Sequence, residues 1–343
     1  MAGYSRIIWQ IVLPSALVMW SFLLSSCYKD NDELIVYTSV DQHYSEPLFK
    51  AFEAATGISI RAVYDIEASK TTGMTNRLIA EASNPQADVF WSGETMQMHR
   101  LLQNGVLAPY RPPNLPASAR ALAGDNWIEF GGRIRVLIVN TEKLGHGAAP
   151  DSILDLASDT WPGNEIAIAY PMFGTTATHA VALARIWGNT QTLDYFSRLK
   201  QRGVRYVAGN SSVRDLVVSG QALFGITDTD DACVAVARGH PVSVIVPDQQ
   251  LNGLGAFVIP NGVALIASGK NHRNAKTFID YLTGPEVMSV LAKAGWIYVN
   301  GHTVIANSTC GLPKTLKVMP HDIPDTPTTL KEFQSDLKAL VVQ

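Results

Sequence analysis

The chain is poor in charge. Lysine, arginine, aspartate and glutamate together make up 17% of its 343 residues, against roughly 25% in an average globular domain. The formal net charge is only −3. Its basic residues are scattered rather than gathered into a stripe, which argues against a nucleic-acid-binding surface and the phosphate neutralisation it requires. Cysteine is scarce as well: Cys27, Cys233 and Cys310 are the only three, and their spacing matches no zinc or iron–sulfur site. There is no nucleophile elbow, no phosphate-binding P-loop and no zinc-enzyme signature. After the first 27 residues no long apolar run occurs, so nothing beyond that point reads as a membrane span.

The amino-terminal stretch is of another kind. Arg6 is followed by "IIWQIVLPSALVMWSFLL" and then by "LSSC", which ends at Cys27. A basic residue, an apolar run and small residues in that order make a secretory signal. Leu24-Ser25-Ser26-Cys27 resembles the bacterial lipobox, in which the cysteine is lipidated and becomes the first residue of the mature protein. The other reading is a plain transmembrane anchor, since the run is near the ~20 residues a spanning helix needs. Both readings export the globular part, and the expectation carried forward is a lipoprotein signal peptide over 1–27. Cys233 and Cys310 are then exposed to an oxidising compartment, as a disulfide or as two buried thiols.

The remaining chain of about 316 residues is long enough for two domains. "LIVYTS" (34–39) reads as a buried strand, and "SEPLFKAFEAATG" as a helix with Ser45 as N-cap, Pro47 in its first turn and Gly57 as its stop. "ISIRAVY" (58–64), "ADVFW" (87–91) and the helical stretches after them continue the alternation. It resumes after the irregular "APYRPPNLPASARALAGDNW" with "RIRVLIVN" (133–140), "EIAIAYP", "GVRYV", "ALFGIT" and "VSVIVP", most of them followed by a helix. Such alternation predicts mainly parallel sheets flanked by helices. The expected architecture is α/β and two-lobed, with crossing strands near 133–140 and 256–267 as the hinge. Lobe 1 is expected to take 28–132 plus about 262–305, and lobe 2 to take 133–261 plus about 306–343.

The phrases "LIVYTSVD", "FEAATGI", "EASKTTGMTNRLIAEASNPQADVFWSGE", "LLQNGVLAPY" and "SGQALFGITDTDDA" resemble the solute-binding proteins of bacterial ABC importers. The similar branch contains ferric-iron-binding proteins and their thiamine- and phosphorylated-solute-binding relatives, and the resemblance runs from about Leu34 to Gly295. It implies a type II periplasmic-binding-protein fold that captures a solute between its lobes and presents it to a membrane permease and its ATPase. It implies a monomer in the periplasm or at the cell surface, held to the membrane only by its lipid, and neither a catalyst nor the holder of a cofactor.

Loops at the carboxyl ends of strands in open α/β sheets collect ligands, and several here carry suitable groups. Ser39 and Asp41 follow the first strand; Glu67, Ser69, Lys70, Thr71 and Thr72 follow the second; Trp91, Ser92 and Glu94 follow the third. In the second half, Gly174, Thr175 and Thr176 open a helix. Free N–H groups and the positive dipole end at Ser69–Thr72 and at Gly174–Thr176 favour an anion, though such residues cap many helices without binding anything. In related iron-binding proteins the turn matching Gly174–Thr176 holds an accompanying anion. Asn210 and Ser211 read as caps, and His179 as a packing residue.

The stretch "FGITDTDDAC" (224–233) runs from apolar to acidic. In the iron-binding branch the matching segment carries adjacent tyrosines that ligate ferric iron; here Asp228 and Asp230 stand instead. Three readings stay open. The aspartates take the positive centre of a zwitterionic, phosphonate-like or phosphate-ester-like solute whose oxyanion lies on Lys70, Thr71 and Thr175. Or they join His43 and Glu94 as hard ligands for a transported ferric ion, with a thiamine-type solute as a further option. Or Asp230 merely caps the helix that follows. An exported enzyme on the same fold, with the aspartates as acid and base, and a surface-tethered sensor or adhesion module are the remaining classes.

Overall fold

The computed structural model describes residues 33–65, 71–117, 119–300, 303–306, 310–320 and 327–342. Cys27 and the signal stretch lie outside the described residues, as do Glu67, Ser69 and Lys70. In chain order the first half contains β1 (Glu33–Thr38), α1 (Gln42–Thr56), β2 (Ser59–Tyr64), α2 (Thr72–Ala80), β3 (Val89–Ser92), α3 (Met98–Gln103), β4 (Leu107–Ala108), β5 (Ala119–Leu122) and β6 (Trp127–Asn140). Then follow α4 (Thr141–Leu144), β7 (Ile166–Ala169), α5 (Gly174–Trp187), α6 (Asn189–Gln201), β8 (Arg205–Val207), α7 (Asn210–Val218), β9 (Phe224–Asp228), α8 (Thr229–Ala237) and β10 (Val242–Ile245). The chain closes with β11 (Val258–Ile266), α9 (His272–Leu282), α10 (Pro285–Lys293), β12 (Ile297–Asn300), β13 (Thr303–Ala306) and α11 (Pro327–Val342).

The alternating pattern forms as the periodicity requires. β1 pairs in parallel with β2 and with β3, and β7 pairs in parallel with β8 and with β9. These two parallel groups are joined through two antiparallel strands, in the order β2-β1-β3-β11-β6-β9-β7-β8. β6 is the longest strand, and it changes partners halfway. Its residues Ile128–Ile134 lie against β11, whereas Arg135–Val139 lie against β9.

Apolar packing changes hands at the same place. Leu34, Phe52, Trp91, Phe130, Val263 and Phe278 belong to the core on one side. Leu137, Leu183, Phe224, Ile259, Phe333 and Leu337 belong to the core on the other. β6 and β11 therefore pass through both lobes. Where they cross, Gly131 sits at φ 55 and a Cβ on Gly132 would come within 2.8 Å of the Ile259 carbonyl oxygen. The two backbones approach more closely there than any side chain allows, and β11 carries a register irregularity between Pro260 and Asn261.

Two local readings are corrected. α1 starts at Gln42, three residues ahead of Ser45, and Asp41 occupies its N-cap position. Ser45 does not cap: it is buried inside the helix and donates its hydroxyl back to the Asp41 carbonyl at 3.1 Å, a local bond that serine makes readily. Gly57 ends the helix in the left-handed conformation as read, at φ 75. The two later cysteines are joined: Cys233 on α8 and Cys310 form a disulfide with Cα atoms 5.1 Å apart. The sequence separation of 77 residues makes its chain-entropy contribution about 4 kcal/mol. Among the described residues no helix is long and apolar enough to cross a membrane.

Candidate functional site

A polar cleft of about 550 Å³, open solvent included, lies between the strand ends of the two halves. From the first half Ser39, Asp41, Thr71, Gly93 and Glu94 line it; from the second come Tyr170, Phe173, Gly174, Thr175, Thr176, Asn210, Ser211, Asp228 and Asp231. Arg133, from the crossing strand β6, reaches in from behind. Eight of the residues singled out from sequence thus meet in one cavity: Ser39, Asp41, Thr71, Glu94, Gly174, Thr175, Thr176 and Asp228. Thr72, Trp91, Ser92 and Asp230 do not line it. Trp91 is fully buried in the core, with Phe49 at 5.9 Å and Phe130 at 6.1 Å between ring centroids.

Arg133 and Arg135 are the functional residues that sequence reasoning passed over. They stand two apart on β6, so both side chains leave the same face of the strand, and both are buried. The antiparallel register sets Arg135 directly opposite Asp228 of β9. Its Nη1 donates to Asp228 Oδ1 at 2.7 Å and to Asn210 Oδ1 at 2.7 Å. The other Asp228 oxygen accepts from Thr175 Oγ1 at 2.8 Å and from Asn210 Nδ2 at 3.0 Å. Asp228 occupies the N-cap position of α8 but caps nothing with its side chain. Asn210 is likewise more than a helix-start residue, because it ties α7 to both members of the pair.

Arg133 lies 3.5 Å from carboxylate oxygens of both Asp228 and Asp230, and it also donates to the Gly93 carbonyl across the cleft. Burial alone would lower its pKa, but Asp230 and Asp228 outweigh that and hold it above the ordinary guanidinium value. Asp231, raised well above a normal aspartate by burial and by Asp230 and Asp228, has Arg214 at 3.0 Å. Three arginines therefore answer Asp228, Asp230 and Asp231 pair by pair. What this neutral floor leaves exposed are donors: α5 and α7 both begin at the cleft, and neither first turn is capped by a side chain. At α5 the chain enters through Gly174 at φ 54, a conformation glycine adopts without strain.

On the opposite wall Ser39 Oγ accepts from the Gly93 amide at 3.0 Å and from Thr71 Oγ1 at 3.2 Å. His43 is exposed and lies against the Tyr44 ring at 3.8 Å between centroids. Burial and the neighbouring Asp230 and Asp231 push the Tyr44 phenol up, so it stays protonated. His179 is buried and stacks on Phe257 at 4.9 Å; burial and Arg135 hold it well below the ordinary imidazole value. Among the described residues no group of three or more histidines, cysteines, aspartates and glutamates is placed to hold a metal ion.

Two lobes of parallel strands linked by two crossing strands, with a polar cleft at the strand ends, define a type II periplasmic binding protein. The chain belongs to the bacterial extracellular solute-binding protein family, whose profile matches residues 34–297. It is 26% identical over 325 residues to the major ferric iron-binding protein of Neisseria meningitidis serogroup B, covering 89% of this chain and 91% of that one. It is 25% identical over 293 residues to the Fe(3+)-binding periplasmic protein of Serratia marcescens, covering 81% and 82%. Among solved structures, the periplasmic binding protein AfuA of Actinobacillus pleuropneumoniae, with fructose-6-phosphate bound, superposes with a TM-score of 0.73. The identity there is 23%, over 90% of this chain and 96% of that one. Iron-bound HitA of Pseudomonas aeruginosa gives a TM-score of 0.70 at 19% identity, over 90% and 99%.

Glu94 supplies the cleft's pH response. Its Oε2 accepts from the Met96 amide at 2.6 Å and from Thr178 Oγ1 of α5 at 3.2 Å, so it bonds one half of the molecule to the other. Burial drives its pKa up to about 7, although the bonds from Met96 and Thr178 and the charge of Arg133 oppose that. A carboxyl raised in the folded state binds its proton there before the unfolded chain does. Stability is therefore greatest below the unfolded pKa near 4.5 and is lost as pH rises to about 7, by on the order of 3 kcal/mol. Melting curves of the protein and of Glu94→Gln should diverge in the variant's favour between pH 5 and pH 8; parallel curves would show that Glu94 does not carry the proton.

Proposed function

We propose that the protein captures a small organic solute bearing a phosphate or phosphonate group and delivers it unchanged to an ABC permease. The observation that supports this most is the buried Arg133 guanidinium at the cleft, beside two uncapped helix starts whose N–H groups point to the same space. Charge-assisted donors and helix amino termini are what an oxyanion requires. Asp228 and Asp230 already face arginines, so the reading no longer assigns them the solute's positive centre; they hold the arginines in place. The oxyanion lies on the donors of Thr175, Thr176 and Ser211, with Arg133 as its charged partner.

Ferric iron is the second reading, favoured by the names of the relatives from Neisseria and Serratia. Against it stand the guanidiniums of Arg133 and Arg135 beside the carboxylates that would ligate the ion, since two buried cations oppose a third. The same family role supports export to the periplasm, and we extend it to anchoring through an acylated Cys27. Mass spectrometry of the membrane fraction tests that extension: unmodified Cys27 in the mature form would contradict it.

Binding itself is open to direct measurement. A panel of phosphate esters, phosphonates, thiamine and ferric citrate should contain a phosphate ester or phosphonate that raises the melting temperature by mass action and is recovered chemically intact. Arg133→Gln should weaken that compound at least about thirtyfold, the effect of truncating one partner of a buried charge pair. A shift with ferric citrate alone, or unchanged affinity in the variant, would overturn the reading.

A further inference from the structure

One corner of the cleft does not serve an oxyanion. Tyr170 and Phe173 line it with 37% of their surface exposed, a costly position for two large rings unless something covers them. Both are placed by the same local geometry. β7 and β8 run parallel with Ala169 opposite Val207, and the Tyr170 amide donates to the Val207 carbonyl at 2.9 Å. The strand ends thereby bring Tyr170 beside Ala208, and the Tyr170 ring leans on Tyr206 with centroids 5.5 Å apart. Phe173 is the last residue before α5, immediately ahead of the uncapped turn that starts at Gly174.

The chemistry of this corner is one-sided. Around the two rings the cleft is lined by Ala169, Ala208 and Gly209, whose only polar groups are those of the backbone. The hydroxyls, carboxylates and guanidinium of the cavity lie toward Ser39, Thr71, Glu94 and Arg133. A sugar placed between the rings would leave its hydroxyls without side-chain partners, at a cost for each unpaired group. A flat aromatic ring loses nothing there and gains stacking on faces already held in place.

We propose that the solute is an aryl or heteroaryl phosphate or phosphonate, its ring stacked on Tyr170 and Phe173 while its oxyanion meets the start of α5 and Arg133. The inference rests on the oxyanion reading given above and adds the identity of the other half of the solute. Phe173 and Tyr170 then set specificity, and Arg133 with the helix starts sets the requirement for the oxyanion.

Calorimetric titration of the purified protein with phenyl phosphate, glucose 6-phosphate, glycerol 3-phosphate and inorganic phosphate separates the two layers. Phenyl phosphate should bind at least about tenfold tighter than any of the other three, the size of one good aromatic contact. In Tyr170→Ala/Phe173→Ala that advantage should shrink to within about twofold, and Phe173→Leu, which keeps an apolar side chain, should retain part of it. Equal binding of phenyl phosphate and glucose 6-phosphate, or an advantage that survives in the double variant, would overturn the aromatic assignment while leaving the oxyanion reading intact. Binding of none of the four would contradict the oxyanion reading, and the present inference with it.

Discussion

The cleft depends on one buried pair. Arg135 and Asp228 meet across neighbouring strands at 2.7 Å, with both side chains almost completely removed from water. Either charge alone would be several kcal/mol out of balance at that depth. Thr175 and Asn210 complete the hydrogen bonding of the carboxylate, which brings the starts of α5 and α7 to the same point. The helix termini face the cleft because the pair beneath them needs their side chains. Arg133, two residues away, stays charged because it shares the same carboxylates, and so the ligand surface inherits its sign from a structural interaction.

That arrangement recasts the acidic stretch 228–231. Read alone it is a cluster of carboxylates, which invites a cation. With Arg133, Arg135 and Arg214 packed against it, its charge is spent inside the protein, and the free donors of the first helical turns dominate what a solute meets. The relatives named for ferric iron and the neighbour holding fructose-6-phosphate show how widely ligands differ on this scaffold. Fold similarity therefore leaves the ligand to be argued from residues.

The scaffold was legible because it rests on periodicity. Alternating apolar strands and amphipathic helices identified a two-part α/β chain, and strand-end logic brought Ser39, Asp41, Thr71, Glu94, Gly174 and Thr175 toward one cavity. Two kinds of information were not legible. Arg133 and Arg135 sit in "RIRVLIVN", where a strand reading registers the apolar residues and passes over arginines, yet charged side chains two apart in an otherwise buried strand were the available signal. The partner of Asp228 lies 93 positions earlier and is set by an antiparallel register that no local pattern carries. Trp91 failed as a cleft residue for a simpler reason: alternation sends it to the aromatic core while its neighbours serve the loop.

The claim that Asp228 is structural rather than a ligand for a cation is tested most directly without any ligand, by a double-mutant cycle on unfolding free energy. Asp228→Asn should cost about 3 kcal/mol or more, since it leaves Arg135 uncompensated. In an Arg135→Met background the same change should cost far less, with the difference appearing as a favourable coupling. If Asp228→Asn instead leaves the wild-type protein as stable or makes it more stable, as removal of a carboxylate held ready for a ligand would, the account of this cleft is wrong.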